Sequence, residues 1–102
     1  MQPAQLVVFN YIIDEIARLS GKPVDPNERY DLWTSMCLHG THPINLRPKQ
    51  AILYLTSQAP SRVRAMLWKR LGEDQWEELV ANLRNFDPQE AATSEIYTQL
   101  EK

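Results

Sequence analysis

Acidic residues are missing from the middle of this 102-residue chain: Leu32 to Gly72 contains no Asp or Glu. Cysteine is almost as scarce, and the single Cys37 excludes an internal disulfide and fits a reducing compartment. Only three glycines occur, Gly21, Gly40 and Gly72, so no glycine-rich loop is there to cradle a phosphate. No apolar run approaches the roughly 20 residues that span a bilayer, which argues against a membrane protein. Met1-Gln2-Pro3 offers neither the basic region nor the cleavage site of a signal peptide, so the expected location is the cytoplasm. No stretch shows sustained period-2 alternation and no repeat recurs at a fixed period, so strands and solenoids are not expected.

What the chain does have is helical periodicity. In Leu6–Leu19, the residues Leu6, Val8, Phe9, Ile12, Ile13, Ile16, Ala17 and Leu19 share one broad face at 3.6 residues per turn. Asn10, Asp14, Glu15 and Arg18 fall on the opposite side, with Val7 and Tyr11 forming a second, outer apolar strip. Pro3 suits the first turn and Gly21 the left-handed C-terminal cap. Asp25-Pro26 with Glu28 announces a second helix, for which Tyr30, Trp33, Met36 and Cys37 are expected inward, with Leu32 beside them, up to Gly40.

Ile44 and Leu46 are expected to anchor the connector Thr41–Arg47. Pro48 opens a third helix running to Gln58; its core, Ala51–Leu55, is apolar enough to resemble a buried strand, but no neighbouring segment offers it a partner. After Ala59-Pro60, Ser61 is expected to cap a helix over Arg62–Leu71 that turns Val63, Met66, Leu67 and Leu71 inward and leaves Trp68 at the boundary. Asp74 with Glu77 suggests a capping pair for Gln75–Asn85, whose stripe is Trp76, Leu79, Val80 and Leu83. Asp87-Pro88 repeats the start signal for a sparse last helix, Pro88–Glu101. With 43% apolar and 24% charged residues the chain is globular, and 1–102 reads as a single domain. The expected fold is all-α: a compact bundle of five to six short helices packed around the first.

The acid-free middle makes the charge strongly uneven. Net charge is −2 over residues 1–31, +6 over 32–72 and −6 over 73–102. The six cations of the middle block are Arg47, Lys49, Arg62, Arg64, Lys69 and Arg70. They either form a basic face for a partner or are matched internally by the acidic last third.

Residues that could carry chemistry are few. Cys37, His39 and His42 are metal-ligand types, but neither a second cysteine nor a third histidine exists to close a zinc site, and no metal or cofactor is expected. Cys37 and His39 stand two apart on a helix and diverge, which suits no nucleophile–base pair. The adjacent carboxylates Asp14 and Glu15, or Glu77 and Glu78, read as solvated charge, so the chain is expected not to be an enzyme. A helix-turn-helix across Gly72 would present Glu73, Asp74, Glu77 and Glu78 to the phosphates, a repulsive start for a reading helix.

The expectation is therefore a small interaction module, an adaptor, regulator or assembly factor. Its expected binding residues are Arg47, Lys49, Arg62, Arg64, Trp68, Lys69 and Arg70, with Val7 and Tyr11 on the first helix. The expected partner is a protein with an acidic surface, and a homodimer is possible. The competing reading is a nucleic-acid-binding regulator using the basic 47–70 block, with Tyr54 and Trp68 as stacking surfaces.

Overall fold

The structure, a computed structural model, describes the backbone of residues 3–90 and the side chains of residues 6–90. Within them lie five α-helices: α1 (Pro3–Ser20), α2 (Pro26–Leu38), α3 (Pro48–Leu53), α4 (Ser61–Arg70) and α5 (Glu73–Asn85). A π-helical turn, Tyr54–Gln58, continues α3. No strand is present among the described residues, so the fold is all-α as expected. The expected helix over Pro88–Glu101 lies mostly outside the described residues; at its start, Asp87 Oδ1 accepts the N–H groups of Gln89 and Glu90 at 3.0 and 3.3 Å.

The local signals act largely as their chemistry dictates. Asp25 Oδ1 accepts the Glu28 N–H at 2.9 Å, while Glu28 Oε1 accepts the Asp25 N–H at 3.2 Å, closing a reciprocal cap on α2. Gly21 and Gly40 end α1 and α2 with φ of 69° and 76°, a backbone region that side chains disfavour. Two expected caps differ. The turn before α4 is made by Pro60, without a side-chain cap, and Ser61 is already helical. At α5 the Gly72 N–H is taken by Gln75 Oε1 at 2.7 Å, which starts the helix at Glu73 instead of Gln75.

Ala51–Leu55 is helical, and its last turn widens. Thr56 Oγ1 donates to the Ile52 carbonyl at 2.7 Å, competing with the backbone ladder. Ala59, restricted by the proline that follows, is extended and donates its N–H to Tyr54 O, closing a five-residue ring.

Val8, Phe9, Ile12, Ile13 and Ile16 make α1 the helix that buries most apolar side chains, as the periodicity implied. It packs on α4 and α5; α2 packs on α4, and α3 on α5. Tyr54, Leu55, Val63, Leu67, Leu71, Leu79 and Leu83 fill the remaining core. The inner face of α2 is Leu32, Ser35 and Met36, whereas Tyr30 is 71% exposed and Cys37 is exposed. Ser35 belongs inside because its hydroxyl shares a 2.5 Å hydrogen bond with the buried Tyr54 hydroxyl. Leu46 anchors the connector, but Ile44 points out, because Asn45 takes a left-handed φ of 59° between them.

Candidate functional site

The six cations of the acid-free block do not form one open face. Arg70, at the C-terminal end of α4, is nearly buried, its side chain only 8% exposed. Its Nε donates to Glu28 Oε2 at 2.9 Å and its Nη2 to Glu28 Oε1. The remaining donors reach Ser20 Oγ and the carbonyls of Lys22 and Pro23 at 2.8–3.2 Å. One side chain thus ties the end of α1, the following connector and the start of α2 to α4. The pair holds Glu28 down at about 2, chiefly through the hydrogen bonds from Arg70. Arg62, in the first turn of α4, pairs with Asp31 of α2. The match for these arginines therefore comes from α2.

Tyr11 likewise has an internal role. Its ring stacks on Phe86 with centroids 4.0 Å apart, closing α1 on the end of α5. Val7 is half-buried. Glu15, expected on a solvated face, is buried on the same seam. It accepts two bonds from Arg18 at 2.8 Å and one from Asn82 at 2.9 Å, and the Arg18 hydrogen bonds hold its carboxyl below the usual range.

Arg47, Lys49, Arg64 and Lys69 are exposed, and none has a carboxylate partner among the described residues. Arg47 and Lys49 stand at the start of α3. Arg64 and Trp68 come together on the outer side of α4 and line a cleft of about 340 Å³. Its other lining residues are Leu55 and Thr56 from the π-helical turn, Ala65 from α4 and Trp76 from α5. Trp68 is 53% exposed and meets Trp76 edge to face, centroids 5.4 Å apart at 90°. Leu55, fully buried, is the apolar floor.

A second recess of about 410 Å³, between Ser20, Lys22, Glu28, Met66, Lys69 and Arg70, is larger and more polar. Its best donor, the Arg70 guanidinium, is already engaged at all three nitrogens. The cleft at Trp68 is the better site because Trp68 is exposed and the Arg64 terminal nitrogens have no protein partner among the described residues.

The metal-type residues do not converge. Cys37 is exposed, while the His42 ring lies edge-on to Trp33 and its Nδ1 accepts the Ile44 N–H at 3.1 Å. Among the described residues no group of three or more His, Cys, Asp or Glu is placed to hold a metal ion. No helix among them is long and apolar enough to cross a membrane.

Leu55, Thr56, Ala65 and Trp76 were not expected at a site. The available signal was on α4, where a small Ala65 stands between Arg64 and Trp68 and leaves space on that face. No family model, curated protein or solved structure matches this chain.

Proposed function

We propose that the chain is a small, non-catalytic helical interaction module that binds a protein partner at the cleft lined by Trp68 and Trp76. The observation that carries this reading is Trp68, a tryptophan more than half exposed at the lip of an apolar cleft. Tryptophan and arginine dominate binding energy at protein interfaces, and here Arg64 stands one turn away. In support of the non-catalytic part, the low-lying carboxylates Glu15 and Glu28 are engaged as ion-pair partners of Arg18 and Arg70. The unpaired cysteine favours a cytoplasmic setting.

Selection from an unbiased displayed-peptide library tests the module reading. Peptides retained by the native chain and lost with Trp68→Ala are expected. An empty selection, or peptides held equally by the variant, would contradict it.

The nucleic-acid alternative draws on the four cations without a carboxylate partner among the described residues, Arg47, Lys49, Arg64 and Lys69. It is weakened by the pairing of Arg62 with Asp31 and of Arg70 with Glu28. Anisotropy titrations of labelled single- and double-stranded DNA and RNA across salt decide it: a steep salt slope would favour it over the protein partner.

A further inference from the structure

Among the described residues, the only charged group lining the cleft is Arg64. Its Nε donates to the Ala59 carbonyl at 3.1 Å, a bond to the residue that closes the π-helical turn. A guanidinium carries five N–H donors in a rigid plane. Anchoring it through Nε restrains that plane and leaves both terminal nitrogens without a protein partner among the described residues. That end of the group suits a carboxylate, which it can take through two parallel hydrogen bonds. Beside it, Ala65 and the two indoles offer apolar surface, with Leu55 buried beneath them.

The volume, about 340 Å³, lies at the lower end of the range for ligand pockets, a size suited to one bulky side chain. Trp76 stands perpendicular to Trp68 and is half-buried, so the two rings do not present successive parallel faces on which bases of a single strand could stack. A basic segment would bring like charge against Arg64.

Resting on the interaction reading above, we propose that the cleft takes a phenylalanine or leucine side chain from an extended or helical segment of the partner, flanked by aspartate or glutamate. The apolar side chain packs against the joined Trp68 and Trp76 rings beside Ala65, and one flanking carboxylate pairs with the terminal nitrogens of Arg64. The charge pair supplies the choice of partner and the apolar contact supplies most of the affinity.

The test uses the full chain and a fluorescein-labelled peptide carrying one phenylalanine between pairs of glutamates, followed by anisotropy. The same peptide with glutamines, or with lysines, in the flanks provides the comparison. The glutamate peptide should bind roughly tenfold more tightly than the glutamine one, as a charge-assisted bond implies, and the lysine peptide more weakly than either. Arg64→Gln should erase the preference for glutamate over glutamine. Trp68→Ala should remove binding of both. Ala65→Glu, at an exposed position, should abolish binding of the acidic peptide while helicity and cooperative melting are retained.

Equal affinity for the glutamate and glutamine peptides would overturn the proposal, as would binding that survives Trp68→Ala. Failure of the glutamate peptide to bind would overturn it too. If the unbiased library yields Trp68-dependent peptides without acids, the acidic preference falls and the module reading stands; if the library is also empty, both fall. Light scattering on the free chain covers one more occupant: a dimer dissociated by Ala65→Glu would place a second copy in the cleft and overturn the proposal.

Discussion

Arg64 and Arg70 belong to the same helix, six residues apart, and the molecule uses them in opposite ways. Arg70 sits where three segments meet, and its guanidinium is engaged at all three nitrogens on Glu28, Ser20 and two carbonyls. Arg64 sits on the outer side beside Trp68, with one bond to Ala59 and no other protein partner among the described residues. What separates them is which neighbours the fold supplies. The N-terminal start of α2 brings Glu28 to Arg70, whereas the π-helical turn brings only a carbonyl to Arg64. A buried, paired charge is costly to disturb and contributes to holding the bundle together. An exposed, half-tethered one contributes little to folding and is free for recognition.

The largest expected effect comes from the core that both arginines frame. Ile12 is fully buried on α1, so Ile12→Asp places an uncompensated charge inside and should unfold the domain, with loss of helical circular dichroism. Retained helicity and cooperative melting would show that α1 is not the central element. Next, Arg70→Met leaves Glu28 without its partner and should cost about 3 kcal/mol in urea unfolding. For the same reason Arg70→Glu is unsuitable as a surface probe: it would set a carboxylate against Glu28.

Acid should reproduce part of that loss. Glu28 titrates at about 2 in the folded chain, against 4.5 for the unperturbed group. Between those values the unfolded state binds the extra proton, so lowering the pH favours unfolding. The contribution is complete above about pH 4.5 and disappears as pH falls towards 2, a loss of about 2 kcal/mol after allowance for solvent. Glu15, also held low, loses stability in the same direction, so the Arg70→Met chain should show a shallower acid profile that retains the Glu15 part. Identical profiles in the two chains would deny the pair its role.

Smaller again is Tyr54→Phe, which removes the hydrogen bond to the buried Ser35 hydroxyl and should cost about 1.5 kcal/mol in the same unfolding assay. The smallest effect belongs to Arg64→Gln, expected within about 0.5 kcal/mol of the native chain. A cost for Arg64→Gln equal to that of Arg70→Met would abolish the distinction between the two arginines.

How much of this was legible in the sequence depended on whether a signal was local. The inward placement of Val8, Phe9, Ile12, Ile13 and Ile16, the Asp25 cap and the Gly21 stop are set by residues within a turn or two of one another, and these stand as read. The inner face of α2 was legible only in part, Leu32, Trp33 and Met36 being turned to the core as expected, because its apolar residues surround the helix and give its periodicity no direction. Tyr30 and Cys37 could be told from Leu32, Ser35 and Met36 only by knowing where Tyr54 would lie. Glu15 looked like solvated charge because Asn82, 67 residues later, is what completes its hydrogen bonding. The site shows the same division. Trp68 and Arg64 were visible as an aromatic beside a cation, while Trp76 became part of the site only when α5 folded back across Gly72.

The most direct measurement follows the indole N–H signals of the three tryptophans by two-dimensional NMR while the glutamate-flanked phenylalanine peptide is added to the native chain. Trp68 and Trp76 line the cleft, whereas Trp33 packs against Phe9 and His42 away from it. The account predicts that the Trp68 and Trp76 signals move together and saturate, with Trp33 unchanged. Movement of Trp33 alone, or of all three equally, would contradict it.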